Sequence, residues 1–210
     1  MREDTRTLLF AATVCLVVSL LLSGTAAVLK PAQEANEAYD VKRNIVKAFG
    51  VDIATMERAG IEATYAKHIT ERAGTLELYA WTEDGADEPS KYAFPVSGKG
   101  LWGDVFAYIS LEADLRTIAG ISFYKHVETP GLGAEIEKDW FQRQFVGKKL
   151  YDEERRALDF RVVKPGSAPL DAHSVDGISG ATLTGKGVET FLRADAAEYA
   201  DYLKTLKGEN

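Results

Sequence analysis

The sequence predicts an α+β fold: a mainly antiparallel, twisted sheet flanked by helices and preceded by one transmembrane helix. Three observations carry this reading. Residues 8–29 form an uncharged run rich in Leu, Val and Ala. The apolar period then changes from helical to alternating near Thr75, and a long helical pattern closes the chain.

The uncharged run is 22 residues long and lies between Arg6 and Lys30. At the α-helical rise it measures about 33 Å, enough to cross a hydrocarbon core of roughly 30 Å. A cleaved signal peptide competes with this reading, because Thr25-Ala26-Ala27 resembles a cleavage site. The length of the run and the acidic Glu3 and Asp4 before it favour a retained anchor. Arg2 and Arg6 close to the span, against Lys30, Lys42 and Arg43 beyond it, mildly favour a cytoplasmic tail and an external domain.

Residues 33–48 mix Ala35, Tyr39, Ile45 and Val46 with charges and read as a helix continuing out of the span. A second helix is expected from Ile61 to Arg72, after Gly60. Strands are expected at Thr75 to Trp81 and Lys91 to Val96 around a polar turn, then at Val105 to Leu111 and Ile118 to Val127. An amphipathic helix from Ala134 to Lys148, a strand from Asp159 to Lys164 and a helix from about Val188 to Leu206 complete the series. The expected organisation is a short cytoplasmic tail at 1–7, the span at 8–29, a helical connector at 30–74 and a binding domain at 75–210.

With 32 acidic and 25 basic residues the formal charge is −7. It becomes −8 when residues 1–30, with three basic and two acidic side chains, are set aside. Such an acidic domain is a poor partner for nucleic acid. The single cysteine, Cys15, lies in the apolar run, which leaves the rest of the chain without a disulfide or a thiolate metal site. His68, His126 and His173 lie in separate segments without ligand spacing, so no metal centre is expected. The chain has no Walker loop, dinucleotide fingerprint or Gly-x-Ser-x-Gly elbow.

Two segments carry chemistry. Asp176-Gly177-Ile178-Ser179-Gly180-Ala181-Thr182 presents hydroxyls among very small residues where a helical pattern begins, which suits a bound or esterified phosphate; a plain turn before a helix fits the same residues. Lys186, four residues after Thr182, could approach such a phosphate or simply be solvated. Glu128-Thr129-Pro130-Gly131-Leu132-Gly133 places Pro-Gly at the centre of a type II turn, exposing backbone N–H groups and the Thr129 hydroxyl. A third loop, Gly98-Lys99-Gly100-Leu101-Trp102-Gly103, sets three glycines around an aromatic residue, as a close approach to another group requires.

Together with Gln144-Phe145-Val146-Gly147-Lys148-Lys149 and the run from His173 to Thr184, these segments resemble, in content and order, the C subunits of the bacterial Na⁺-translocating NADH:quinone reductases. The G subunits of the related Rnf complexes share the Thr-Pro-Gly-Leu-Gly and Ser-Gly-Ala-Thr signatures. The Gly-Lys-Gly-Leu-Trp-Gly and Phe-Val-Gly-Lys segments favour the quinone reductase. Residues 53–73 and the last helix match the family only loosely.

The resemblance implies covalent FMN, attached by a phosphoester to Thr182 by a dedicated FMN transferase that uses FAD as donor. Asp176, Ser179, Gly180, Ala181 and Leu183 would surround the attachment point. Glu128, Thr129, Gly131, Leu132 and Gly133 would form the opposite wall, and Trp102 would lie against the flavin ring. The resemblance further implies an electron relay in the inner membrane, with membrane lipid and the other subunits of the complex as partners. NADH oxidation, quinone reduction and Na⁺ transport would then belong to those subunits. The rival of another class is a flavin-free anchored module that serves as a structural clamp.

Overall fold

The computed structural model describes residues 2–72, 74–154, 156–167 and 169–206. It divides into two compact units, Met1–Val41 and Lys42–Asn210. Helix α1 (Arg2–Ala48) supplies the described residues of the first unit and continues into the second. Its most apolar 18 residues have a mean hydropathy of 2.3 and are exposed, which makes it long and apolar enough to cross a membrane. The helix continues past residue 33 as its sequence pattern suggests, and it carries Pro31 in its interior.

In the second unit, helix α2 (Arg58–His68) is followed by five strands: β1 (Ile69–Arg72), β2 (Leu78–Trp81), β3 (Lys91–Lys99), β4 (Asp104–Glu112) and β5 (Ile118–Lys125). They form one antiparallel sheet in sequence order. The helix expected over 61–72 therefore starts earlier and ends at His68. Residues 69–72 instead pair with Leu78–Trp81, which satisfies their backbone and buries Ile69.

Period-two alternation assigns the two faces of the sheet. Val105, Ala107, Ile109 and Leu111 of β4 join the main core with Phe94 and Val96 of β3. Helix α4 (Thr182–Leu206) covers this face through Val188, Phe191, Leu192, Ala196 and Tyr199, and Tyr199 stacks on Phe94 at 4.2 Å between ring centroids. The other face receives the end of α1. There Ser110 Oγ donates to the Ala48 carbonyl (2.5 Å) and Ser122 Oγ to Asn44 Oδ1 (2.9 Å). At Gly120 a β-carbon would collide with that same Ala48 carbonyl. Gly50, at φ +87°, ends the helix.

The single helix expected from Ala134 to Lys148 is replaced by a 3₁₀ turn (Gly133–Glu137), the short helix α3 (Asp139–Gln142) and a second 3₁₀ turn (Arg143–Phe145). The cause is at its end, where Gly147 N–H donates to the Ile118 carbonyl and Ile118 N–H to the Lys148 carbonyl, both at 2.8 Å. Those bonds require extended backbone beside β5, and Val146 supplies it at φ −60°, ψ 128°. Phe141 and Phe145 still reach the core, against Phe123 and Phe160. Strands β6 (Arg161–Val163) and β7 (Ser174–Asp176) form a separate parallel pair. The sequence pattern marks β6, with wider limits, and leaves β7 unmarked.

Candidate functional site

Three loops from distant parts of the chain meet at one end of the second unit. The first is the β3–β4 hairpin tip, Gly100 to Gly103, closed by Gly100 N–H on the Gly103 carbonyl (2.8 Å) and by a Lys99–Asp104 ion pair (2.8 Å). The second is the Thr129–Leu132 turn. Leu132 N–H donates to the Thr129 carbonyl (3.1 Å) and Gly131 takes φ +73°, as a type II turn requires. The third has the same form at Ile178–Ala181. Ala181 N–H donates to the Ile178 carbonyl (3.1 Å) and Gly180 takes φ +76°. These two turns abut, since a β-carbon on Gly180 would lie 2.8 Å from Leu132 Cδ2.

The third turn leads directly into α4, whose first residue is Thr182 rather than a position near Val188. Gly185 and Gly187 look like helix breakers in sequence but serve packing here. A β-carbon on Gly187 would strike the Lys99 carbonyl, and one on Gly185 would sit 3.0 Å from Val162 Cγ1. The early start makes Thr182 the exposed first position of a 25-residue helix with no acidic residue in its first turn. Its leading N–H groups precede the first backbone bond of the helix, Gly185 N–H to the Ala181 carbonyl (3.0 Å), and favour an anion there.

Glu128 ties the loops together. It is only 5% exposed. Its Oε1 accepts from the Trp102 N–H (2.9 Å) and its Oε2 from the Thr184 hydroxyl (2.5 Å). Gly100 and Gly133 admit the carboxylate, because a β-carbon on either would lie 2.6 Å from one of its oxygens. Sequence expectation puts Glu128 in the wall of a flavin site. The structure places it beneath that wall, with both oxygens engaged.

The remaining expected residues divide by exposure. Ser179, Gly180, Thr182, Leu183, Thr129, Gly131, Leu132 and Trp102 are exposed around the meeting point, while Ala181 and Gly133 are buried under it. Trp102 is 69% exposed, Leu183 62% and Leu132 43%, so the site offers solvent-exposed apolar surface. Val127, also exposed, stands over Gly103 and extends this surface; sequence reasoning misses it, because the strand pattern gives no sign of which way it faces. Asp176 is turned away, its carboxylate accepting from Gly166 N–H (2.9 and 3.0 Å), while Gln144 brackets its backbone. Lys186 lies one turn after Thr182 and pairs with Glu189 (2.5 Å). Among the described residues no cluster of His, Cys, Asp and Glu is arranged to hold a metal.

An exposed threonine at a helix N-terminus, in a segment of small residues and close to exposed apolar side chains, suits a phosphate joined to a flat apolar ring. Residues 100–195, which include all three loops, match the family described as the FMN-binding domain. The fold and site thus define an FMN-binding domain, here following a helix fit to cross a membrane.

The C subunit of the Na⁺-translocating NADH-quinone reductase from Pseudomonas aeruginosa is 33% identical over 238 residues, an alignment spanning 90% of each chain. The Vibrio vulnificus C subunit is 35% identical and spans 83% of each. The crystal structure of the Parabacteroides distasonis C subunit superposes with a TM-score of 0.73 at 32% identity, covering 83% of this chain and 96% of that one. The chain belongs to the family formed by the C subunits of Na⁺-translocating NADH-quinone reductases. It is an FMN-carrying, membrane-associated subunit of that complex, and its fold class is the one its sequence pattern indicates.

Proposed function

We propose that this chain carries FMN as a phosphoester on Thr182 Oγ1 and relays electrons between neighbouring redox subunits. Bound FMN supplies a ring that takes up and releases electrons singly or in pairs. The chain's own task is to hold and enclose that group. Thr182 supplies the oxygen, the leading amides of α4 stabilise the phosphate charge, and Lys186 stands one turn away to add a cation. Gly131 has open space beside it, Gly180 lets the Leu132 turn close against the start of α4, and Trp102, Leu132 and Leu183 offer apolar cover. The carboxylate of Glu128 holds the loops that present these groups.

In the attachment, the Thr182 oxygen attacks the FMN-side phosphorus of FAD. The pyrophosphate bond breaks, AMP leaves with the bridging oxygen, and a base on the transferase takes the hydroxyl proton. No electrons are exchanged. We assign residues 1–7 to a cytoplasmic tail, 8–29 to the span, 30–74 to a connector and 75–210 to the FMN-binding part, with the domain on the external side of the inner membrane. The other subunits and the surrounding lipid are its partners, and the transferase meets it once during maturation.

The observation that carries this reading is the exposed Thr182 at the start of α4, directly after the Ile178–Ala181 turn that abuts Leu132. Co-expression with the transferase should give a fluorescent band that survives boiling in detergent and disappears in Thr182→Ala. A wild-type chain with neither that band nor the added flavin phosphate mass would contradict the covalent electron-carrier reading.

A further inference from the structure

The segment from Ser179 to Thr184 offers three hydroxyls, and the fold treats them differently. Thr182 and Thr184 are two residues apart on α4, so they point about 200° apart around the helix axis. Burying one therefore turns the other to solvent. Thr184 is the buried one, 1% exposed, with its hydroxyl donated to Glu128 Oε2 at 2.5 Å. Among the described residues no ion pair forms on the Glu128 carboxylate, although the Glu128 backbone N–H donates to His126 Nδ1 (3.2 Å); the other carboxylate oxygen holds the backbone of the Trp102 loop. Gly133, against both the Glu128 carboxylate and Thr184 Oγ1, lets the two groups close to bonding distance. Ser179 is exposed but lies in the turn before the helix, outside its leading amides.

From this arrangement we infer that Glu128 is a positioning residue that selects the hydroxyl to be modified. It draws Thr184 inward, fixes the rotation of the first turn of α4 and leaves Thr182 as the accessible oxygen over the helix N-terminus. The inference rests on the assignment of Thr182 as the attachment point and adds the residue that enforces it. Neither a shared flavin contact nor direct catalysis by Glu128 is needed.

The test uses the full chain co-expressed with the transferase. Folding is checked by thermal melting, and the extent and position of the added flavin phosphate are read by intact and fragment mass. Glu128→Gln keeps both contacts by turning its amide NH₂ toward Thr184 Oγ1, and Thr184→Ser keeps the donor; both should remain modified on Thr182. Glu128→Ala should lose roughly tenfold or more of that modification, or carry it on Thr184, because the acceptor is no longer held in place. Asp114→Asn, which destabilises a turn outside the three-loop site, should leave the modification unchanged. A folded Glu128→Ala chain modified on Thr182 to the wild-type extent overturns the inference. Should Glu128→Ala fail to fold, Thr184→Val decides by the same criterion, since valine fills the space without donating. A wild-type chain modified elsewhere defeats the Thr182 assignment itself, whereas wild-type modification of Thr182 in Glu128→Ala or Thr184→Val defeats only the role of Glu128.

Discussion

Thr182 and Thr184 are chemically alike, yet the fold buries one and exposes the other. The sequence marks Thr182 through its small neighbours and a helical pattern that follows. Thr184 is not marked, because its partner Glu128 lies 56 residues away, and only the folded chain brings the two together. Asp114 shows the same economy of short contacts in the turn between β4 and β5. Burial pushes its carboxyl up, but the Thr117 hydroxyl, the backbone N–H groups of Thr117 and Arg116, and the Lys149 ammonium outweigh this and hold it down at about 2. They also brace Leu115, which is fully buried at φ +57°. Because the folded value lies below the unfolded value of about 4, the stabilisation is complete above pH 4 and is lost as pH falls through 2. The side chain is 41% exposed, so solvent screening reduces the contribution to about 1 kcal/mol. Asp114→Asn should therefore lower the melting temperature at pH 7 and flatten its decline between pH 4 and 2. An unchanged acid limb would show that these contacts contribute nothing to stability.

Among the elements, α4 departs most usefully from its sequence pattern. Its apolar stripe is legible from Val188 onward, but its first turn is obscured by Gly185 and Gly187, which read as breakers. Those glycines exist for contacts with β3 and β6, and such contacts have no local signature. Gly187→Ala would drive a methyl group into the Lys99 carbonyl and lever the helix off the sheet. A loss of about 1–3 kcal/mol is expected, seen as a drop of several degrees in a thermal melt. A melting temperature equal to the wild type would contradict the close approach. Strands β2 to β5 are readable because alternation and short turns specify consecutive antiparallel strands, whereas β1 reads as the end of the preceding helix and becomes a strand only by pairing with β2. The 134–148 segment is not, because its apolar spacing serves two 3₁₀ turns and a short helix once Gly147 and Lys148 pair with Ile118. β7 is three residues long and depends on pairing with β6, which again leaves too little local pattern.

At the scale of the whole molecule, an apolar helix and an acidic domain divide the labour. The helix is long and apolar enough to cross a membrane, and the domain brings three loops together beside the start of α4. A reporter fused after Asn210 that functions only outside the cytoplasm should be active, and one that functions only inside should be silent; the reverse pair would place the flavin on the cytoplasmic side. The proposed function turns on a single atom, Thr182 Oγ1, and fragmentation mass spectrometry of the peptide containing residues 165–186 interrogates it most directly. After co-expression with the transferase, the peptide should carry the mass of FMN less one water, with the fragment series assigning it to Thr182. An unmodified peptide, or one whose added mass falls on Ser179 or Thr184, would contradict that function.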